Sequence, residues 1–203
     1  MKNTNAFAAL AVLAMLTACG QQAPQTPSEA PHVPVMDAPE ANIIIGPSSA
    51  AGISSAIPMT LEAVREAAPN FDVAQVQDEI EGEPFIAITL SLSGEEAFRL
   101  YPSADGAVVH SIATHSSRAR SPEGEIIGQS LFRNAHPEGV VFCVTDFAVI
   151  HETGFSCSTS AEGAFWRTYR LPDGYDGPSA PFDAIDPDVA AEAMLVEMKW
   201  MAR

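Results

Sequence analysis

Apolar and polar positions alternate most strictly over residues 84–92, where Ile86, Ile88, Leu90 and Leu92 interleave with Ala87, Thr89 and Ser91. A period of two sends successive side chains to opposite faces, so this run predicts a strand with one face in the core. Ser93-Gly94 stands where a two-residue turn would, and beyond it Phe98 and Leu100 alternate with Arg99 and Tyr101. The pair predicts a β-hairpin. Residues 102–106 read as a turn and 107–114 as a third strand. Connections this short cannot carry a parallel crossover, so the strands form an antiparallel meander. Residues 140–150 and 165–171 are rich in Val, Phe, Tyr and Trp, which suit a half-buried pleated surface. The pattern ends with Met194, Val196, Met198 and Trp200 set against Leu195, Glu197, Lys199 and Met201. That predicts a C-terminal strand, with a continued helix as the alternative.

Two short helices fit between these runs. Thr60 is an N-cap before Leu61, Val64 and Ala68, which share one face, and Pro69 closes the segment. Asp186 caps a second helix with Pro187 at its first position. Residues 42–47 read as a short β segment ended by Gly46-Pro47, and the small-residue stretch from there to Pro58 as a loop. The fold class is therefore α+β: mainly an antiparallel curved β-sheet with one or two short helices.

The chain ahead of this domain has a different character. Residues 6–16 are almost wholly apolar and preceded by one charge, Lys2, as in a signal peptide. The run is too short to cross a bilayer, which takes about 20 residues, and no later segment is long and apolar enough. It closes on Leu16-Thr17-Ala18-Cys19, which resembles a bacterial lipobox, the motif cleaved just before a lipid-modified cysteine. Residues 1–18 are thus expected to be the leader and Cys19 the lipid anchor to the membrane. Residues 20–41, dominated by Gln, Ala, Pro and Ser, form an extended linker, and residues 42–203 a single globular domain. Gly20 at the sorting position favours the outer membrane, facing the periplasm.

Charge and cysteine count sharpen that picture. The formal net charge is −16. Removal of the leader takes away Lys2 and no acid. Such a field opposes nucleic acid and anionic headgroups and attracts a cationic protein partner at low salt. With Cys19 lipidated, Cys143 and Cys157 remain as a pair in an oxidising compartment, which predicts a disulfide stapling two strands around a loop at residues 145–154.

Candidate chemistry is thin. His110, His115, His136, His151 and Cys157 lack the tight ligand pairs of a zinc site, and His110 and His115, five apart, fall on opposite faces of a regular strand. Asp173, Asp176, Asp183, Asp186 and Asp188 lie in turn-rich sequence without the spacing of an EF-hand. Ser130, Asp146 and His151 hold the residue types of a nucleophilic triad without a Gly-x-Ser-x-Gly elbow. The speculative functional loop is Asp146, His151, Asp173 and Asp176. No cofactor is expected.

The order Ile45-Gly46-Pro47, Met59-Thr60-Leu61-Glu62-Ala63, Pro69-Asn70-Phe71, Glu81-Gly82-Glu83-Pro84, Ile127-Gly128, two cysteines, Tyr175-Asp176-Gly177-Pro178 and Glu197-Met198-Lys199-Trp200 is suggestive. It resembles the small envelope lipoproteins of unknown function grouped with the sigma-E-regulated lipoprotein of enterobacteria. That resemblance implies an envelope-stress-associated lipoprotein with no assigned catalytic residue. The expected function is a lipid-anchored, non-enzymatic binding or envelope-maintenance module. The alternatives are an acidic inhibitor of a cationic envelope enzyme such as lysozyme, and a periplasmic hydrolase built on Asp146, His151 and residues 173–186.

Overall fold

A computed structural model describes residues 43–80, 82–145, 153–178 and 180–202. The leader, Cys19, the linker, Asp146 and His151 lie outside the described residues.

The described residues open with a two-stranded hairpin, β1 (Ile45–Gly46) and β2 (Ser49–Ala50). The second strand corrects the loop expected there: Ala50, Ala51 and Ile53 are buried, so small residues serve as packing rather than as slack. Helix α1 (Leu61–Ala67) follows, with the Thr60 side chain accepting from the Ala63 N–H as a cap should.

Next come β3 (Asp72–Ile80), β4 (Glu83–Leu92), β5 (Glu95–Pro102) and β6 (Val109–Thr114), all antiparallel. The β4–β5 turn is a left-handed pair, Ser93 at φ 57° and Gly94 at φ 81°, the geometry that follows the twist of a two-residue hairpin. The expected one-sided burial of β4 gives way at its centre to a strand buried on both faces. Ile88 and Leu90 are fully buried, yet Ala87 and Thr89 are buried as well, and Ile86 is half exposed because the β3–β4 hairpin extends beyond the core.

After a long irregular segment come β7 (Phe142–Thr145), β8 (Gly154–Ser158), β9 (Phe165–Arg170), helix α2 (Pro187–Ala191) and β10 (Met194–Met201). Asp186 caps α2 through its side chain, and the C-terminal segment is a strand, not a continued helix. β10 inserts between β6 and β9, giving one eight-stranded antiparallel sheet in the order β3-β4-β5-β6-β10-β9-β8-β7. The disulfide Cys143–Cys157 joins residues directly opposite each other on β7 and β8.

One face of the sheet carries the core. Ile88, Leu90, Phe98, Leu100, Ile112, Phe155, Tyr169, Met198 and Trp200 pack against Ile45 from the hairpin, Val64 from α1, Ala119 and Ile127 from the segment after β6, and Ile185 and Ala190 around α2. Arg167, on this same face and 3% exposed, donates from Nε to Glu125 (2.6 Å) and from Nη2 to Glu123 (3.1 Å), fastening that segment to β9. Among the described residues no helix is long and apolar enough to cross a membrane.

Candidate functional site

The other face of the sheet is polar, and its register explains why. Opposed residues on antiparallel strands share a face, so Thr89, Arg99, Ala113, Lys199 and Trp166 form one row across β4, β5, β6, β10 and β9. Thr168 stands opposite Glu197, and Ser156 opposite Thr168, in the neighbouring row. A bulge between Leu195 and Glu197 changes the phase of β10. It keeps Leu195 in the core with Met198 and Trp200 while turning Glu197 and Lys199 to the opposite side.

Glu197 is only 2% exposed, at the middle of a central strand. A buried carboxylate needs partners, and it has three. His115 Nε2 approaches Oε2 at 3.2 Å, Lys199 Nζ approaches Oε1 at 3.5 Å, and Thr168 Oγ1 donates to Oε1 at 3.5 Å. Ser156 Oγ continues the chain to Thr168 Oγ1 at 2.9 Å. Burial alone would push the Glu197 carboxyl up, but the His115 hydrogen bond and the Lys199 charge outweigh it and hold the group below the usual carboxylate range.

His115 faces acceptors through both ring nitrogens, Glu197 at Nε2 and the Val196 carbonyl at Nδ1 (3.2 Å). Only the imidazolium donates from both nitrogens. The hydrogen bond to Glu197 accordingly raises the His115 pKa against the opposing effect of burial. Both ring nitrogens face Glu197 and the Val196 carbonyl rather than a serine hydroxyl. What the cluster offers is fixed charge and hydroxyl groups.

These residues line a trough. A hollow of about 640 Å³ has Ser111, Ser156, Thr168, Glu197 and Lys199 along its floor and Trp166, Val144 and Met201 among its walls. It shares His110, Ser111, Glu197 and Lys199 with a second hollow of about 410 Å³ that reaches Asp78, Arg99, Tyr101 and His115. The Trp166 indole is held by its Nε1 donating to the Gly163 carbonyl at 2.9 Å and by Phe142 packed edge-on. Arg99 is saturated by Asp78 (2.8 Å) and a two-pronged pair with Glu96 (2.8 and 2.9 Å). Burial, reinforced by the Glu197 charge, pushes the Tyr101 phenol up to about 12, so it is a neutral donor.

The pair predicts a pH response. The groups around His115 are Glu197, Lys199 and the Val196 carbonyl from β10, Asp78 and Glu79 from β3, Arg99 and Tyr101 from β5, and His110 from β6. A raised histidine pKa stabilises fully below the unfolded value of about 6.5 and is lost as pH climbs through the folded value. The lowered Glu197 contributes above its unfolded value of about 4.5 and is lost as pH falls through the folded one. Both act together between about pH 4.5 and 6.5. Urea midpoints should therefore fall from pH 6 to pH 8.5, and His115→Gln should flatten that slope; parallel profiles for the two chains would contradict the ion pair.

Two of the four residues of the speculative loop, Asp173 and Asp176, fall among the described residues. Asp173 and Asp176 are exposed turn residues away from the trough lining, and Asp146 and His151 lie outside the described residues. Ser130 Oγ accepts from the Ile126 N–H as part of a turn. His110 and His115 are a correction: both border the trough, because the strand ends at Thr114 and His115 turns back to β10. Among the described residues no three His, Cys, Asp or Glu side chains converge as a metal-holding group. Glu197, Lys199 and Trp166 were missed. One signal was available: Lys199 is the only lysine after Lys2.

No protein-family model matches the chain, and no curated protein matches it by sequence. Among solved structures it is similar to the uncharacterized protein yfeY from Escherichia coli, with a TM-score of 0.56 and 12% identity over 77% of this chain and 98% of that one. At that identity the likeness concerns the fold, which the two chains share across nearly the whole of the solved one.

Proposed function

We propose that this chain is a lipid-anchored, non-enzymatic binding module of the bacterial envelope, tethered through Cys19 to the outer membrane on its periplasmic side. The ligand occupies the trough on the polar sheet face. The observation that carries the reading is Glu197, a carboxylate buried on the face of the sheet opposite the core, with Lys199 and Thr168 beside it at the floor of a hollow of about 640 Å³ and His115 beside it in the adjoining hollow of about 410 Å³. Both volumes lie in the range of small-molecule sites, where a few fixed polar groups set orientation and apolar walls provide contact. The anchor rests on the lipobox at residues 16–19 and the linker that follows it. An association with envelope stress rests on the sequence resemblance alone.

Cells fed labelled palmitate test both halves together. The wild-type chain takes up label and the Cys19→Ala chain does not. The labelled chain, extracted in neutral detergent and weighed by native mass spectrometry, carries a bound small molecule that is missing from Thr168→Trp, a substitution that fills the hollow. Absence of label from the wild-type chain sinks the anchor. A bound mass indifferent to Thr168→Trp, or no bound mass, sinks the trough.

The rival reading, an acidic inhibitor of a cationic envelope enzyme, draws on the net charge of −16. It requires an exposed acidic face rather than a lined cavity, and its binding would weaken with salt.

A further inference from the structure

We infer that the trough selects a small, free amphipathic anion, its charged head against Lys199 and His115 and its apolar body along Trp166, Val144 and Met201. The inference rests on the binding role proposed above and goes further by naming the ligand's chemistry.

Local charge balance is the first ground. Ten basic residues stand against 26 acidic ones in the whole chain, so most cations have acids available to pair with. Arg99 meets two carboxylates, Arg167 meets two, Arg118 faces Glu95, and Arg133 pairs with Glu192. At Glu197 the arrangement differs: two nitrogen groups, the Lys199 ammonium and the His115 imidazole, face one carboxylate. Protonation of His115 leaves one positive charge in surplus around Glu197. Of the acids elsewhere along the trough, Asp78 is bound to Arg99, and Glu79 and Glu162 are exposed at the margin, where water screens them.

Placement is the second. Lys199 is the only lysine beyond the leader, and it sits on the central strand of the sheet with a side chain 27% exposed, bordering both hollows. A lysine whose role is solubility stands on a solvated surface. This one is held with its ammonium beside a buried carboxylate and in reach of a cavity, where Ser111 and Ser156 supply hydroxyl donors to an anion's oxygens. Glu197 thereby acts as a positioning residue that fixes two donors for a third party.

The walls supply the rest. Trp166 is fixed by Gly163 and Phe142, and together with Val144 and Met201 it forms an apolar surface next to the charged floor. The protein's overall negative field repels anions at long range, but exposed charges are screened beyond about 8 Å at physiological ionic strength. Within contact distance the Lys199 ammonium is the group a bound anion meets.

The test uses the mature full chain and three probes that share one tail: sodium octanoate, octyltrimethylammonium and octyl glucoside, each below its micelle-forming concentration and followed by titration calorimetry. Octanoate is expected to bind tightest. Lys199→Met should weaken octanoate about tenfold, the size of one charge-assisted contact, while leaving octyl glucoside unchanged. Unfolding curves of the variant confirm that it is folded. Equal affinity for all three probes, or preference for the ammonium, overturns the anion selectivity and leaves the trough standing as a binding site. Binding to none of them overturns the trough itself. Binding to phosphatidylglycerol vesicles but not to octanoate replaces the free anion by a membrane surface and overturns the inference.

Discussion

Arg167→Met should lower the free energy of unfolding by about 3–5 kcal/mol, the cost of leaving one member of a buried ion pair without its partner. Methionine occupies a similar volume, so the loss is electrostatic rather than a cavity. The guanidinium donates from Nε to Glu125, from Nη2 to Glu123 and from Nη1 to the Gly139 carbonyl at 3.3 Å, and it lies 4.5 Å from the Phe165 ring centre. Without it Glu125, whose side chain is 7% exposed, keeps one long contact from the Tyr169 hydroxyl at 3.5 Å. Glu123 is a third exposed and finds water, which is why the penalty falls on Glu125. Urea unfolding measures the loss. The double variant Arg167→Met with Glu125→Leu should recover most of it, since removing both charges removes the orphaned one. A single variant within about 1 kcal/mol of wild type would mean the pair is solvated and worth no more than a surface bridge.

The same packing makes Gly139 a second site of sensitivity. A Cβ there would sit 2.7 Å from Arg167 Nη1, so any larger residue must displace the guanidinium that holds the segment to β9. Trp166 and Thr168 point from the opposite side of that strand into the trough, and what fixes β9 from the core side therefore also fixes the floor of the site.

Local features were legible in the sequence wherever the physics is local. The β4–β5 hairpin follows from period two and Ser93-Gly94, α1 from Thr60, and α2 from Asp186-Pro187. The pairing of Cys143 with Cys157 follows from counting. β3 escaped notice because it is an edge strand: Gln75, Gln77, Asp78 and Glu79 break the apolar alternation, as charges and amides do where an edge faces water. The trough was illegible for a different reason. His115 and Val196 are 81 residues apart and meet only because β10 inserts between β6 and β9. The bulge before Glu197 then shifts the phase of β10, so that simple alternation assigns Leu195 and Glu197 to one face when they lie on two. An acid and a lysine in a terminal strand read as a solvated face until the register shows what stands beside them.

Loss of the disulfide should cost about 3 kcal/mol, the chain-entropy value for a loop of about 15 residues; the cysteines are 14 apart in sequence. The functional consequence is more specific than the stability loss. Among the described residues β7 is the last strand of the sheet and pairs only with β8, over four opposed residues. For a strand so short at an edge, the bond to Cys157 is a large share of what holds it. Yet Val144 of β7 forms part of the trough wall, and Phe142 packs against Trp166 at 6.1 Å. Cys143→Ala with Cys157→Ala should therefore raise amide exchange at residues 142–145 and weaken an apolar ligand in the trough. Exchange in β10, which is paired on both sides to β6 and β9, should stay slow under conditions where the variant remains folded. If β7 kept its protection and the unfolding free energy fell by less than about 1 kcal/mol, pairing with β8 alone would be holding the wall, and an oxidising compartment would not be needed to complete the site.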